Sequence, residues 1–247
     1  MIHPDVTREA LRLVTAAGEA DIDARLIGGT AIRLHLQGDP CPLFQREIQD
    51  IDLVIGKRDG RRMAAFLSEQ GYVPDQMFNA TNGDRRLLFY DQQHSRQVDV
   101  FIETFQMCHV LPVAEELSKD PLTVPLADLL LTKLQIVSLN EKDRIDAYAL
   151  LHEHEVGLGD VELINPRRIA DLCARDWGLY RTLQLNFERL RAALPASGLD
   201  EGAQASITRR IEVIEAAGEA HPKSMKWKAR ARVGDRVRWY EEPDEVE

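Results

Sequence analysis

The spacing of apolar residues predicts alternating helices and strands in the first half of the chain. A helix is expected over residues 4–18, where apolar positions recur three and four apart. Residues 25–36 predict a short strand, a Gly-Gly turn and a helix from Thr30 to about Leu36. The further elements expected are a strand at 51–55, a helix at 61–71, an extended stretch at 72–78, and a hairpin whose strands at 85–91 and 96–104 flank four polar residues.

Strand patterns end near residue 125, and only helical spacing follows. Helices are expected at about 126–140, 142–155, 166–175, 177–193 and 203–219. The predicted fold class is therefore α/β, with a mixed sheet core followed by a helical C-terminal region. The corresponding division is a core over 1–125, a helical domain over 126–220 and a tail over 221–247.

Composition narrows the class of protein. The 247 residues suffice for one large domain or two modest ones, and no stretch of 18 apolar residues predicts a membrane span. The three cysteines form no C-x-x-C pair, and no secretion signal precedes the first helix, so a cytoplasmic location is expected. A net charge of −10 argues against wrapping nucleic acid with the whole surface but allows a local basic patch.

Three aspartates on two predicted strands form the main candidate site. Asp50 and Asp52 share one face of their strand, because successive strand residues point to opposite faces. Asp99 interrupts an otherwise apolar strand and would lie beside them if the two strands are neighbours. Carboxylates this close repel one another unless a cation lies between them, and an oxygen-only site suits Mg²⁺ or Mn²⁺.

A structural interpretation of the same aspartates stays open. Asp50 would then cap the strand entry, Asp52 would face solvent, and Asp99 would pair with a nearby arginine. An isolated D-x-D motif usually has such a structural role. The third acid inside an apolar strand favours the metal site.

The Gly-Gly turn is the candidate phosphate site. Gly28 and Gly29 let the backbone approach a ligand closely, and the helix that follows presents free N–H groups. Thr30 adds a hydroxyl, and Arg33 lies one turn further on. The alternatives are a plain tight turn and a surface arginine.

Together these motifs resemble the DNA polymerase beta-type nucleotidyltransferase superfamily. Its pattern is a strand, a Gly-Gly or Gly-Ser turn opening a helix, a D-x-D strand and a third acid, matched here by Gly28–Gly29, Asp50, Asp52 and Asp99. The resemblance implies a nucleotidyltransferase-type sheet and transfer of a nucleoside monophosphate from an NTP to a hydroxyl. It also implies that the glycines hold the β- and γ-phosphates and that the three acids hold two Mg²⁺ ions.

Lys133 is unusual because it lies in the middle of an apolar helix arc. A lysine there must reach solvent, pair with an acid or meet an anion. If it pairs with a buried acid, Lys133→Met is expected to cost about 3–5 kcal/mol of stability. If it faces the NTP, the same change is expected to hold or raise the melting temperature, since an apolar residue suits the surrounding leucines better. The second outcome is favoured, because the apolar arc leaves few partners on its own helix. In the next helix Asn140 can cap the N-terminus, but capping does not account for Asp146.

The segment that holds Lys133 and Asp146 resembles the abortive-infection (AbiEii-type) branch of the superfamily. Lys133 matches that branch's helix lysine, and residues 142–146 match its K-D-x-x-D pattern, which ends at Asp146. The resemblance implies that both residues belong to the active site, and that the helical domain completes it. Ile48 departs from the branch, which often has a small hydroxyl residue two positions before the D-x-D motif.

The tail combines basic and aromatic residues before an acidic end. Basic residues from Lys223 to Arg238 are interleaved with Trp227, Trp239 and Tyr240. This composition is typical of a single-stranded nucleic-acid surface, and equally of a solvated tail that folds against an acidic body.

Two functional hypotheses follow. The first is an active nucleotidyltransferase whose acceptor is an RNA, a protein or a small molecule; it would be the toxin of a toxin–antitoxin pair if a small antitoxin protein is its partner. The second is a catalytically silent nucleotide-binding or protein-interaction module with the same fold.

Overall fold

The computed structural model describes residues 2–36, 38 and 40–242, and these fall into two compact units. Among the described residues, the first unit comprises 2–36, 45–105 and 112–125, and the second comprises 38, 40–44, 106–111 and 126–242. No helix in the described ranges has the length and apolar character needed to cross a membrane.

The first unit is built on a mixed sheet. Its helices and strands are, in chain order, α1 (Val6–Glu19), β1 (Ala24–Ile27), α2 (Gly28–Leu34), β2 (Ile51–Ile55), α3 (Gly60–Glu69), β3 (Val73–Pro74), α4 (Gln76–Asn82), β4 (Arg86–Asp91) and β5 (Arg96–Ile102). The strands lie in the order β1-β2-β5-β4-β3, in which β2 and β5 run parallel and the other neighbours are antiparallel.

The core of the first unit lies on both faces of the central strands. On β2, Leu53 and Val54 point to opposite faces and both are fully buried. On β5, Val98, Asp99 and Val100 are buried in succession, so this strand is covered on both sides. An acid in such a position needs a partner, because burying an unpaired charge is costly.

The rest of the chain forms short strands and then helices. These elements are β6 (Phe105–Gln106), β7 (Val110–Leu111), α5 (Leu126–Leu134), α6 (Glu141–Glu153), α7 (Pro166–Arg175), α8 (Trp177–Ala193), α9 (Glu201–Ala220) and α10 (Met225–Val233). The predicted fold class is confirmed: a five-stranded mixed sheet in the N-terminal half precedes a helical C-terminal region.

Two predicted helices have the wrong bounds. The helix after β1 begins at Gly28, not at Thr30, and it ends at Leu34. The predicted helix over 126–140 stops at Leu134, because the side-chain amide of Asn186 donates to the carbonyls of Leu134 and Ile136 at 2.8 Å each. A side chain from α8 thus satisfies groups that a longer helix would have bonded internally.

Two helices were absent from the sequence prediction. The extended stretch predicted at 72–78 contains only a two-residue strand, and Asp75 then caps α4 by accepting from the Phe78 backbone N–H at 2.9 Å. In the tail, Ser224 caps α10 in the same way by accepting from the Trp227 N–H. Of the acidic end at 241–247, Glu241 and Glu242 are described, and residues 243–247 lie outside the described residues.

Candidate active site

One row of directly paired residues crosses the sheet at the candidate site. Ile27 at the end of β1 is opposite Asp52 on β2, Asp52 is opposite Asp99 on β5, and Asp99 is opposite Leu88 on β4. Direct cross-strand partners point to the same face of a sheet. The row therefore places the Asp52 and Asp99 side chains next to each other and puts the Gly-Gly turn, which follows Ile27, beside Asp52.

Asp50 lies directly before β2 rather than within it. Its side chain is exposed, whereas Asp52 is half-buried and Asp99 is buried. The strands of the predicted cluster are thus neighbours, and Asp52 and Asp99 form its centre. Asp50 lies two residues before Asp52 and is exposed to solvent.

Arg86 holds Asp99, and the sequence analysis did not identify it. Its Nε donates to Asp99 Oδ1 at 2.7 Å and its Nη2 to Asp99 Oδ2, while Gln97 Nε2 donates to Oδ2 at 3.3 Å. The guanidinium also lies over the Phe101 ring, with Arg86 Cζ 5.0 Å from the ring centroid. This two-pronged pair is what the structural interpretation of Asp99 expected.

The hairpin register would have revealed Arg86. The four-residue turn pairs Asp91 with Arg96, so counting back along both strands pairs Leu88 with Asp99. Arg86 is two residues before Leu88 on the same face and is therefore a diagonal neighbour of Asp99. Fixing the turn in the sequence therefore places an arginine within reach of Asp99.

Gly28 is required by its backbone angle and by Asp52. Its φ is +71°, and a Cβ at this position would overlap Asp52 Oδ2. The glycine therefore brings the backbone directly against the Asp52 carboxylate, in a conformation that other residues rarely adopt. The sequence predicts that the backbone at this glycine approaches a phosphate closely. In the structure, the group that it approaches is the Asp52 carboxylate.

The residues after Gly28 are packed rather than open. A Cβ on Gly29 would lie 2.6 Å from Nη2 of Arg46, a second arginine that the sequence analysis did not single out. Arg33 donates its Nη2 to the Arg46 carbonyl. Thr30 is fully buried, and its hydroxyl has no hydrogen-bond partner within the described part of the chain. A buried hydroxyl without a partner is uncommon and marks a place where a ligand or water would be stabilised.

Exchanging Gly28 and Gly29 separately tests which glycine the site needs. Gly28→Ala is expected to lower the free energy of unfolding by about 2 kcal/mol or more, because it adds backbone strain and an overlap with Asp52. Gly29→Ala is the matched control, since its φ is not positive and its new methyl comes too close only to the guanidinium end of the Arg46 side chain, with Ile48 at ordinary contact distance. Urea unfolding of both variants measures the difference. Equal losses in the two would show that the Gly28 backbone is not constrained by Asp52.

The carboxylate oxygens of Asp50, Asp52 and Asp99 are chemically suited to a hard cation, but they do not form a complete metal site. Carboxylate oxygens are the ligands that Mg²⁺ prefers. In the described ranges, however, no group of three or more His, Cys, Asp or Glu side chains is arranged to hold a metal ion. Arg86 supplies the positive charge at Asp99, so a divalent cation there would compete with this arginine.

Comparisons with known proteins do not assign this chain to a family. No family model and no curated protein matches the chain. The resemblance found in the motifs is therefore judged on the positions of the residues alone.

Lys133 and Asp146 form a separate cluster within the second unit. Lys133 Nζ lies 3.1 Å from Asp143 Oδ1 and 2.9 Å from Asp146 Oδ2. Of the alternatives for Lys133, the structure shows pairing with acids. The expectation of few partners considered only its own helix, whereas both acids come from α6. Burial lowers the pKa of Lys133, but the charges of Asp146 and Asp143 outweigh it and hold the pKa above its ordinary value.

The aromatic residues of the tail are bound to its own unit. Trp227 Nε1 donates to the Cys173 carbonyl at 2.8 Å, and Trp239 Nε1 donates to Thr182 Oγ1 at 3.1 Å. Arg230 stacks over Trp177 with its Cζ 4.3 Å from the ring centroid. The segment from Met225 to Tyr240 therefore folds against its own unit while most of its residues stay exposed, as the alternative of a solvated, folded-back tail expected. Residues Met225–Val233 are helical rather than extended.

Proposed function

We propose that the protein is a metal-dependent nucleotidyltransferase that moves a nucleoside monophosphate from an NTP to a hydroxyl acceptor. The cross-strand row carries this proposal, because it brings Asp52 on β2 and Asp99 on β5 together with Gly28, the residue directly after β1. These are the positions at which the sequence resembles the nucleotidyltransferase superfamily.

In this proposal each residue of the site has one role. Asp50, Asp52 and Asp99 hold Mg²⁺ or Mn²⁺, and such an ion would stabilise the charge on the transferred phosphate. Gly28, Gly29, Thr30 and Arg33 bind the triphosphate. Arg86 neutralises Asp99 until a cation takes its place.

The acceptor, the partner and the location belong to the same proposal. The acceptor is an RNA, a protein or a small hydroxylated molecule, and a small antitoxin protein would be the partner of a cytoplasmic toxin. Lys133 and Asp146 retain the active-site roles that the resemblance implies, and their contribution is tested independently of the first unit.

One observation favours a second candidate function. Arg86 engages both oxygens of Asp99, as expected if this acid is structural and the protein binds nucleotide without catalysis. The chain would then be a silent nucleotide-binding or protein-interaction module.

Position-specific labelling of the NTP separates the two functions. The protein is incubated with Mg²⁺, a cell extract divided into RNA, protein and small-molecule fractions, and each of the four NTPs labelled at the α- or the γ-phosphate. A nucleotidyltransferase places the α-label on an acceptor and releases the γ-label in pyrophosphate. The fraction that takes the label identifies the acceptor class. Nucleotide binding without α-label transfer to any fraction would support the silent module.

A further inference from the structure

The helix α10 has an unusual charge pattern. Its nine residues include Lys226, Lys228, Arg230 and Arg232 but no acid. Two lysines lie in its first turn, where the positive end of the helix dipole disfavours cations. Lys228 and Arg232 are four residues apart and repel each other along one face. The dipole favours Arg230 and Arg232 in the last turn, but nothing in the helix itself favours the two lysines of the first turn.

One side of α10 has a structural role. Arg230 stacks on Trp177 and donates to the carbonyls of Gly234 and Val237 at 2.8 and 2.9 Å. Trp227 on the same side is fixed through its indole N–H. These contacts explain Arg230 and Trp227 and leave the other cations unexplained.

The remaining cations form an exposed group, which we call the α10 cationic surface: Lys226, Lys228, Arg232 and Arg236. All four are exposed, and across the described residues their side chains make no hydrogen bond or ion pair. The acid nearest to them in sequence, Asp235, is neutralised by Arg181, whose Nη2 lies 2.7 Å from Asp235 Oδ2. A shallow depression bordered by Arg232, Arg236 and Trp177 adjoins the group.

We propose that the α10 cationic surface binds the phosphate backbone of single-stranded RNA. Four exposed cations have no partner among the described residues: two lie in the first turn of α10, Arg232 lies in its last turn, and Arg236 follows the helix. In a protein of net charge −10, such a group indicates a polyanionic partner. The indole N–H groups of Trp227 and Trp239 are bonded within the protein, so the rings are fixed against it. Binding is therefore carried by phosphate contacts and is largely independent of base sequence.

A lipid surface fits this helix less well. An interfacial helix presents a continuous apolar face, often with tryptophan, to the membrane. Here the exposed apolar residues of α10 are only Met225 and Val233, two turns apart, and Trp227 faces its own unit. The proposal involves none of the residues assigned to nucleotidyl transfer, so either can fail without the other.

Salt-dependent RNA binding by the full chain tests the proposal. Fluorescence anisotropy is measured with labelled 20-nucleotide RNAs of two unrelated sequences, without NTP or Mg²⁺. Contacts of four cations with a single strand predict a slope of log K against log salt of about −3, at about 0.7 per phosphate. Similar affinity for both sequences is expected. No binding by the native chain at 50 mM salt, or binding to anionic vesicles in place of RNA, would overturn the proposal.

Two variants with the same charge change locate the surface. One replaces Lys226, Lys228, Arg232 and Arg236 by Gln. The control replaces four exposed cations elsewhere, namely Arg8, Lys57, Arg61 and Arg167. The first variant is expected to lose at least about tenfold in affinity and most of the salt slope, whereas the control keeps the slope. Equal losses in both would show a general charge effect and contradict the proposal.

Stability gives a second readout. Removing cations from the first turn of α10 and separating Lys228 from Arg232 relieves unfavourable interactions. The melting temperature of the first variant is therefore expected to be unchanged or raised while RNA binding falls. If that variant is unfolded, two other measurements test the proposal. They are the RNA affinity of the double variant Lys228→Gln with Arg232→Gln and the salt slope of the native chain. A double variant with the native slope would place the binding site elsewhere.

Discussion

Replacing Arg86 by Gln is expected to lower the free energy of unfolding by about 3–5 kcal/mol in the absence of divalent ions, because Asp99 stays buried without its ion-pair partner. Adding Mg²⁺ is expected to restore much of that loss if Asp99 belongs to a metal site. A cation whose free concentration is 100 times its dissociation constant raises the free energy of unfolding by about 2.7 kcal/mol. Thermal or urea unfolding with and without Mg²⁺ measures both effects.

A double variant is the control for this experiment. Arg86→Gln combined with Asp99→Asn removes the unpaired charge, so its stability is expected to exceed that of the single variant and to be insensitive to Mg²⁺. If Mg²⁺ leaves Arg86→Gln as unstable as before, Asp99 is a structural ion-pair partner only. This result would contradict the proposed metal site.

Lys133→Met is also expected to be strongly destabilising, by about 3–5 kcal/mol. The sequence alone favoured the opposite sign, an unchanged or raised melting temperature. The sign changes because Asp143 and Asp146 lie within 3.1 and 2.9 Å of the lysine Nζ, and both are left as neighbouring buried carboxylates when it is removed. Urea unfolding measures the loss, and a transfer assay in the cold measures the catalytic effect on folded protein.

The control restores neutrality around position 133. A triple variant with Lys133→Met, Asp143→Asn and Asp146→Asn is expected to recover part of the stability. The pKa of Lys133 is raised, so its contribution is complete below the ordinary lysine pKa of 10.5 and is lost only as pH rises through the higher folded value. The difference between native and Lys133→Met protein should therefore be constant from neutral to mildly alkaline pH. A variant with native stability would contradict the ion pair.

The transfer assay on Lys133→Met separates structure from catalysis. An active-site lysine predicts a transfer rate lower by about 10²-fold in folded protein. Normal transfer by a variant that unfolds easily would assign Lys133 to structure alone.

Patterns local in the sequence predicted the centre of the site. Period-two spacing placed Asp52 and Asp99 on strand faces, and the turn after Asp91 gave the hairpin. The parallel pairing of β2 with β5 then aligned the two acids. That pairing joins residues 47 positions apart, and no local pattern encodes it.

The partners of buried charges could not be predicted without tertiary contacts. A helical wheel shows the environment of Lys133 on its own helix, but the acids that pair with it lie on the next one. Likewise α4 has no buried residue and therefore no amphipathic pattern, although Asn79 joins it to β4 through two hydrogen bonds to the Leu88 backbone. In both cases the deciding contacts join different helices or strands, and the hydrophobic periodicity of a single element does not reveal them.

The most direct test of the proposed function is the rate of α-phosphate label transfer by Asp52→Asn compared with the native protein at equal folded concentration. Asp52 is the residue at which the glycine turn, β2 and Asp99 meet. A nucleotidyltransferase predicts a fall of at least about 10²-fold with near-native unfolding stability, since charge is lost but volume is kept. Transfer at the native rate by folded Asp52→Asn would contradict it.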